Sequence, residues 1–171
     1  MRTLTVKSKS FLEIPCSISG ALELIGNHWS LLIIRDLALI SDHHGYLWTT
    51  TDVSTPALCA RLERLIVSGI VERVRYQGLP SCEAYRLTEK GRDLWTVCLA
   101  LQEWGDHWNA SGCGAPPMET VDRKTGRPLK LAIVDAVTGR AVPPHRIELR
   151  PGPGADDSVR RVLSPALRTN P

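Results

Sequence analysis

The sequence lacks several features, and each absence narrows the choice. No apolar run approaches the roughly 18 to 20 residues that a membrane span requires. Met1-Arg2-Thr3 leads into a polar stretch and not into the apolar core of a secretion signal, so a cytoplasmic protein is expected. There is no CxxC pair. Cys16, Cys59, Cys82, Cys98 and Cys113 stand singly, which is expected of reduced thiols and not of a disulfide framework. No P-loop, GxGxxG or Ser-His-Asp order is present, and His28, His43, His44, His107 and His145 fit no zinc spacing. No enzyme activity, cofactor or metal is therefore expected.

A charge large enough to announce a nucleic-acid partner is also missing. The net charge over 171 residues is only +3. Through residue 110, 11 Lys and Arg face 12 Asp and Glu, yet residues 54–92 hold seven basic against four acidic side chains. Positive charge thus gathers in one segment of a balanced domain, which is how an electrostatic footprint is built.

What is present is a succession of periodic segments. Ile18, Ala21, Leu22, Leu24 and Ile25 have helical spacing and stop at Gly26-Asn27, a helix end followed by a good N-cap. Residues 28–39, HWSLLIIRDLAL, are apolar on two sides and read as a central buried helix. Residues 40–53 give no clear signal, since Gly45 and the β-branched Thr49, Thr50 and Thr51 oppose a helix. Thr55-Pro56 then predicts a helix start, with Thr as the cap and Pro at the first helical position. Leu58, Leu62, Leu65 and Ile66 give that helix one inward stripe, Arg61 and Arg64 lie off it, and Gly69 ends it.

Alternation follows in IVERVRYQ and again in EAYRLT, separated by Gly78-Leu79-Pro80-Ser81, so a β-hairpin is expected. Arg73, Arg75 and Gln77 share one of its faces. Thr88 is read as the cap of a long helix in which Leu94, Val97, Leu101, Trp104 and Trp108 recur at 3-4-3-4 spacing, widened by Trp95 and Cys98. Such a stripe wants a partner surface. Three helices, a hairpin and a long helix make the winged-helix order: mainly α, with a β-hairpin wing.

Gly112, Gly114, Pro116 and Pro117 mark a linker, after which VDRKTGRPLKLAI is echoed by VDAVTGRAVPPHR. Each copy has an Asp and then Thr-Gly-Arg, the chemistry of a tight turn between short strands. The organisation expected is a winged helix-turn-helix domain over 1–110, a small β-rich extension over 111–150, and a flexible tail over 151–171, where PGPGADD and a Pro-terminated remainder offer little to bury.

CSISGALELIGNHWSLLIIRDL, ARLERLIVSGIVERVRYQ, YRLTEKGRDLW and LQEWGDHW, in that order over residues 16–108, resemble the HxlR-type, MarR-like winged helix-turn-helix regulators. The resemblance implies a homodimer, double-stranded DNA as partner, the helix before the hairpin as the reading element, and in some members sensing through a cysteine near the first helix. On such a fold Ser54, Thr55, Pro56, Ala57, Arg61 and Arg64 are the candidates for the major groove, and Arg73, Arg75 and Gln77 for the backbone or minor groove. Leu94, Val97, Leu101, Trp104 and Trp108 are the candidate dimer interface. Cys16, at a helix N-terminus that favours the thiolate, is the candidate redox sensor, with an electrophile or another small molecule as effector. Family members carry Phe where His44 stands and Leu where Thr51 stands. The second reading is therefore a dimeric ligand-binding or protein-interaction module that keeps the fold with reduced operator affinity.

Overall fold

A computed structural model of the chain describes residues 14–40, 55–75 and 83–164. Ser54, Gln77, His44, Thr51 and Cys82 lie outside the described residues, as does most of the unclear stretch over 40–53. The chain divides into two compact units. One is Leu24–Leu131 and the other is Met1–Glu23 with Ala132–Pro171.

The core belongs to the first unit, and local signals in the sequence set the ends of its elements. Helix α1 spans Ser17–Ile25, of which only Leu24 and Ile25 fall in this unit, and α2 spans His28–Ile40. Between them Asn27 acts as the expected cap: its side-chain oxygen accepts from the Trp29 N–H at 3.1 Å and its carbonyl from the Ser30 N–H at 2.9 Å. The two apolar sides of α2 are explained by its neighbours, for it packs on α3 (Thr55–Val67), on β2 (Glu83–Leu87) and on α5 (Trp95–His107). Ile33, Ile34 and Leu37 are buried there. Asp36 is buried on the same helix and is paired with Arg35 at 2.7 Å.

The stripe Leu58, Leu62 and Leu65 turns α3 inward. Its end is a Schellman turn. The Ile70 N–H reaches the Leu65 carbonyl and the Gly69 N–H reaches the Ile66 carbonyl, both at 2.9 Å. Gly69 has φ +67°, which costs a residue without Cβ nothing. Leu65 and Ile70, the two ends of the outer bond, are both fully buried, the apolar contact such a turn favours.

Strand β1 (Val71–Arg75) pairs antiparallel with β2, Val71 opposite Leu87, Arg73 opposite Tyr85 and Arg75 opposite Glu83. The hairpin is anchored at its base, where Val71 and Leu87 are buried together.

Thr88 caps the next helix as read, its hydroxyl accepting from the Gly91 N–H at 3.1 Å. The single long helix expected from there is in fact two, α4 (Glu89–Asp93) and α5, parted at Leu94. The Leu94 N–H bonds back only three residues, to the Gly91 carbonyl at 3.2 Å, a tightened turn, while its side chain packs on the core. Leu94 keeps helical dihedrals, φ −69° and ψ −12°, so the apolar spacing runs on through the break and hides it.

The repeated motif forms twin turns. Val121 bridges to Pro128 in the first unit, and Val134 to Ala141 in the second. In each, the Asp side chain accepts from the backbone N–H groups two and three residues on. Those bonds are 2.9 and 2.7 Å for Asp122 and 3.0 and 2.8 Å for Asp135. In the second unit the segment read as a flexible tail contains helix α6, Asp157–Val162. Asp156 caps it, accepting from the Val159 N–H at 2.9 Å, a local bond that average composition does not register.

Candidate nucleic-acid interface

Because Leu58, Leu62 and Leu65 face the core, the opposite side of α3 is fixed as its outer surface. Pro56, Ala57, Cys59, Ala60, Glu63 and Arg64 are exposed there, and Arg61 is half-buried at its edge. The start of this surface is nearly free of bulk, so another backbone can approach it closely. Arg61 and Arg64, one turn apart, supply the cations. Of the predicted site residues in this region, Thr55 and Arg75 are described in backbone only, as the first residue of α3 and the last of β1.

The wing differs from its sequence reading in one respect. Arg73 lies on the face that carries Val71, Tyr85 and Leu87, and its guanidinium is ion-paired with Glu63 of α3. The pair ties the hairpin to the helix. On the opposite face Arg86 is exposed and bonds Glu72 at 2.6 Å, adding a surface cation that the sequence reading passed over. The signal for it was the alternation in EAYRLT, which sets Arg86 apart from Tyr85 and Leu87.

The end of α3 is tied to α4 by bonds that no periodicity shows. The Thr88 hydroxyl donates to the Gly69 carbonyl at 2.7 Å, and Lys90 Nζ donates to the Ser68 carbonyl at 2.8 Å. Thr88 N–H adds a bond to the Ile70 carbonyl at 3.0 Å. The end of α3 and the start of α4 therefore share one junction.

The apolar stripe after the wing separates into two sides. Leu94 and Cys98 pack against the chain's own core, whereas Val97, Leu101, Trp104 and Trp108 are exposed, the two tryptophans by 61% and 66%. Exposing an indole face is costly, and these four apolar side chains on α5 and its C-cap make a surface that is uncovered among the described residues.

Cys16 stands just ahead of α1, exposed, with its carbonyl accepting from the Gly20 N–H at 3.0 Å. The backbone N–H of Ser19, and then that of Ile18, stabilise its thiolate and hold the thiol below its ordinary value. Cys98 is the converse. Burial pushes its thiol up, against the opposing pull of Arg35, and its Sγ lies 3.9 Å from the Leu31 carbonyl oxygen, so it is a packing residue. Among the described residues no group of His, Cys, Asp and Glu could hold a metal ion, and no helix is long and apolar enough to cross a membrane.

Comparison with known proteins adds the context for this arrangement. Residues 24–112 match the family model described as HxlR-like helix-turn-helix. The chain is 33% identical over 138 residues to Rv3095 of Mycobacterium tuberculosis, an uncharacterized HTH-type transcriptional regulator, covering 81% of this chain and 87% of that one. It is 33% identical over 94 residues to another such regulator, sll1512 of Synechocystis, covering 54% and 70%. Among solved structures it resembles PA1607, a candidate transcription factor, with a TM-score of 0.64 at 25% identity over 83% of this chain and 99% of that one. It also resembles PA1374 from Pseudomonas aeruginosa, a second candidate transcription factor, with a TM-score of 0.56 at 31% identity over 86% and 100%.

Proposed function

The chain belongs to the HxlR-like helix-turn-helix family of transcriptional regulators, and we propose that it binds a pseudo-palindromic operator as a homodimer without catalysing any reaction. The observation that carries this reading is the outer surface of α3, small at its start and cationic at Arg61 and Arg64, opposite a fully seated apolar stripe. A helix so held enters the major groove with its first turns, where Ser54, Thr55, Pro56 and Ala57 bring backbone close to the DNA and Arg61 reaches a base edge. Arg64, Arg73, Arg75 and Gln77 contribute along the backbone, Arg73 by exchanging Glu63 for a phosphate.

The exposed Val97, Leu101, Trp104 and Trp108 support α5 as the dimer surface, with Leu94 shaping it from the core side. Two copies related by a two-fold axis then read half-sites about one helical turn apart. The stabilised thiolate supports Cys16 as the point at which an oxidant or electrophile acts, in a cytoplasmic protein.

The test is operator selection from random duplexes followed by binding measurements on Arg61→Ala. The expected loss on the operator is about 1 to 3 kcal/mol, with preference relaxed at one position per half-site. A wild-type chain that selects no sequence, or an Arg61→Ala variant that binds the operator as wild type does, overturns the reading in favour of an interaction module.

A further inference from the structure

The two repeated turns share one backbone scheme. In both, the Asp carboxylate accepts from the backbone N–H groups two and three residues on, the Gly N–H returns to the Asp carbonyl at 2.8 Å, and the Asp N–H bonds the Arg carbonyl. The last of these is 2.9 Å for Asp135 to Arg140 and 2.8 Å for Asp122 to Arg127. The parts these bonds require are Asp, Thr, Gly and the spacing between them. The two residues at the tip are not among them, and they differ completely: Arg123-Lys124 in the first copy, Ala136-Val137 in the second. The second copy makes its turn with Val137 93% exposed, so the cations of the first copy are not there to form the turn.

They are also not alone. Residues 120–131, which follow Glu119, hold Arg123, Lys124, Arg127 and Lys130 and one carboxylate, that of Asp122, which accepts from the turn's own N–H groups. All four cationic residues are exposed. That net of +3 in twelve residues stands beside a net of −1 over residues 1–110. The hairpin is held in place by polar bonds to α5, from Gln102 Nε2 to the Met118 carbonyl and from the Leu131 N–H to Glu103 Oε2, each 3.1 Å. It belongs to the same compact unit as α3. It lies beyond the residues that match the family.

We propose that this hairpin is a second DNA-contacting surface, in which the Arg123-Lys124 tip, aided by Arg127 and Lys130, binds the phosphate backbone of duplex DNA outside the segment read by α3. Duplex DNA is the partner that fits because its charge is dense and repeats along the axis, which suits four exposed cations gathered on one small fixed turn. The inference rests on the regulator reading above and adds a sequence-independent share of affinity to it.

The internal repeat supplies the test variant. Arg123→Ala with Lys124→Val places the second copy's tip on the first, in a turn already known to accept it. Binding of the full-length chain to a random-sequence duplex about three helical turns long is measured by fluorescence anisotropy across a salt series. The graft is expected to melt at the wild-type midpoint, to lose roughly tenfold in affinity at low salt, and to flatten the slope of log K against log salt by about 0.9 for each phosphate it no longer neutralises. Lys124→Glu, which leaves the backbone bond to Asp122 in place, is expected to weaken binding further, and it carries the test should the graft fail to fold. Grafted and reversed chains that bind with wild-type affinity and slope overturn this inference alone. A wild-type chain that binds no duplex overturns the regulator reading with it.

Discussion

Gly91 lies so close to Ile70 that a β-carbon placed on it would stand 2.2 Å from the Ile70 carbonyl oxygen, which already accepts from the Thr88 N–H at 3.0 Å. The junction between the end of α3 and the start of α4 is closed by this approach. An exposed helical Gly replaced by Ala ordinarily gains up to about 1 kcal/mol of helix propensity. Here the methyl group meets backbone, which cannot swing away. Gly91→Ala is therefore expected to lower stability by about 1 to 3 kcal/mol, read as a lower urea midpoint with unchanged slope. A stabilised variant would mean that α4 is not pinned to this junction.

The exposed side of α5 leads to a second expectation. Leu101→Glu with Trp104→Glu leaves the core untouched, since neither side chain is part of it, and should yield folded monomers with weak operator binding. Sedimentation equilibrium decides the matter: a double variant that still runs as a dimer moves the interface elsewhere.

The thiols should separate by pH. Backbone N–H groups favour the charged form of Cys16, so its alkylation should reach half-maximal rate at a lower pH than that of a simple thiol. Cys98, shielded and pushed upward, should react last. Mass spectrometry after a timed iodoacetamide pulse reads both. If Cys16 is the regulatory thiol, a mild oxidant should release operator DNA from wild type and not from Cys16→Ser.

Asp122 and Asp135 should titrate low. The N–H groups of Thr125 and Thr138 head the causes that depress them, and a carboxyl depressed in the folded chain stabilises its turn above the ordinary carboxylate range and loses that contribution as the pH falls through its own lowered value. Carbon-13 detected titration should place both midpoints below that of a free aspartate side chain. Asp122→Ala should fray the first hairpin selectively, seen as faster amide exchange at Lys124 and Thr125.

What the sequence made legible follows the range of the interactions. Asn27, Gly69 and Thr88 mark helix ends through bonds that close within a few residues, Pro56 marks one by the N–H it lacks, and the stripes of α2 and α3 fix which faces are buried. The Asp156 cap is equally local, yet it sits in a stretch whose composition argues for disorder, and composition averages over the one residue that matters. The parting at Leu94 escaped because its dihedrals stay helical. The Arg73 pairing with Glu63 and the Lys90 bond to Ser68 span ten and 22 residues, and only the register of the hairpin and the placing of α4 bring those groups together. Site residues that bond across elements are for this reason less legible than the elements that carry them.

The ties at the far end of α3 have a mechanical consequence. Among the described residues, the polar bonds linking this helix to α4 meet at Ser68, Gly69 and Ile70, the Glu63 pair with Arg73 ties its middle to the wing, and its first turns rest on the apolar contacts of Leu58 and Leu62. Thirteen residues at a rise of about 1.5 Å make a lever close to 20 Å long, pivoted where the chain enters the wing. A tilt of about 5° at that pivot carries the opposite tip through nearly 2 Å, more than the span that separates a good hydrogen bond from none. Small adjustments at Thr88 or Lys90 are thus amplified at Thr55-Pro56.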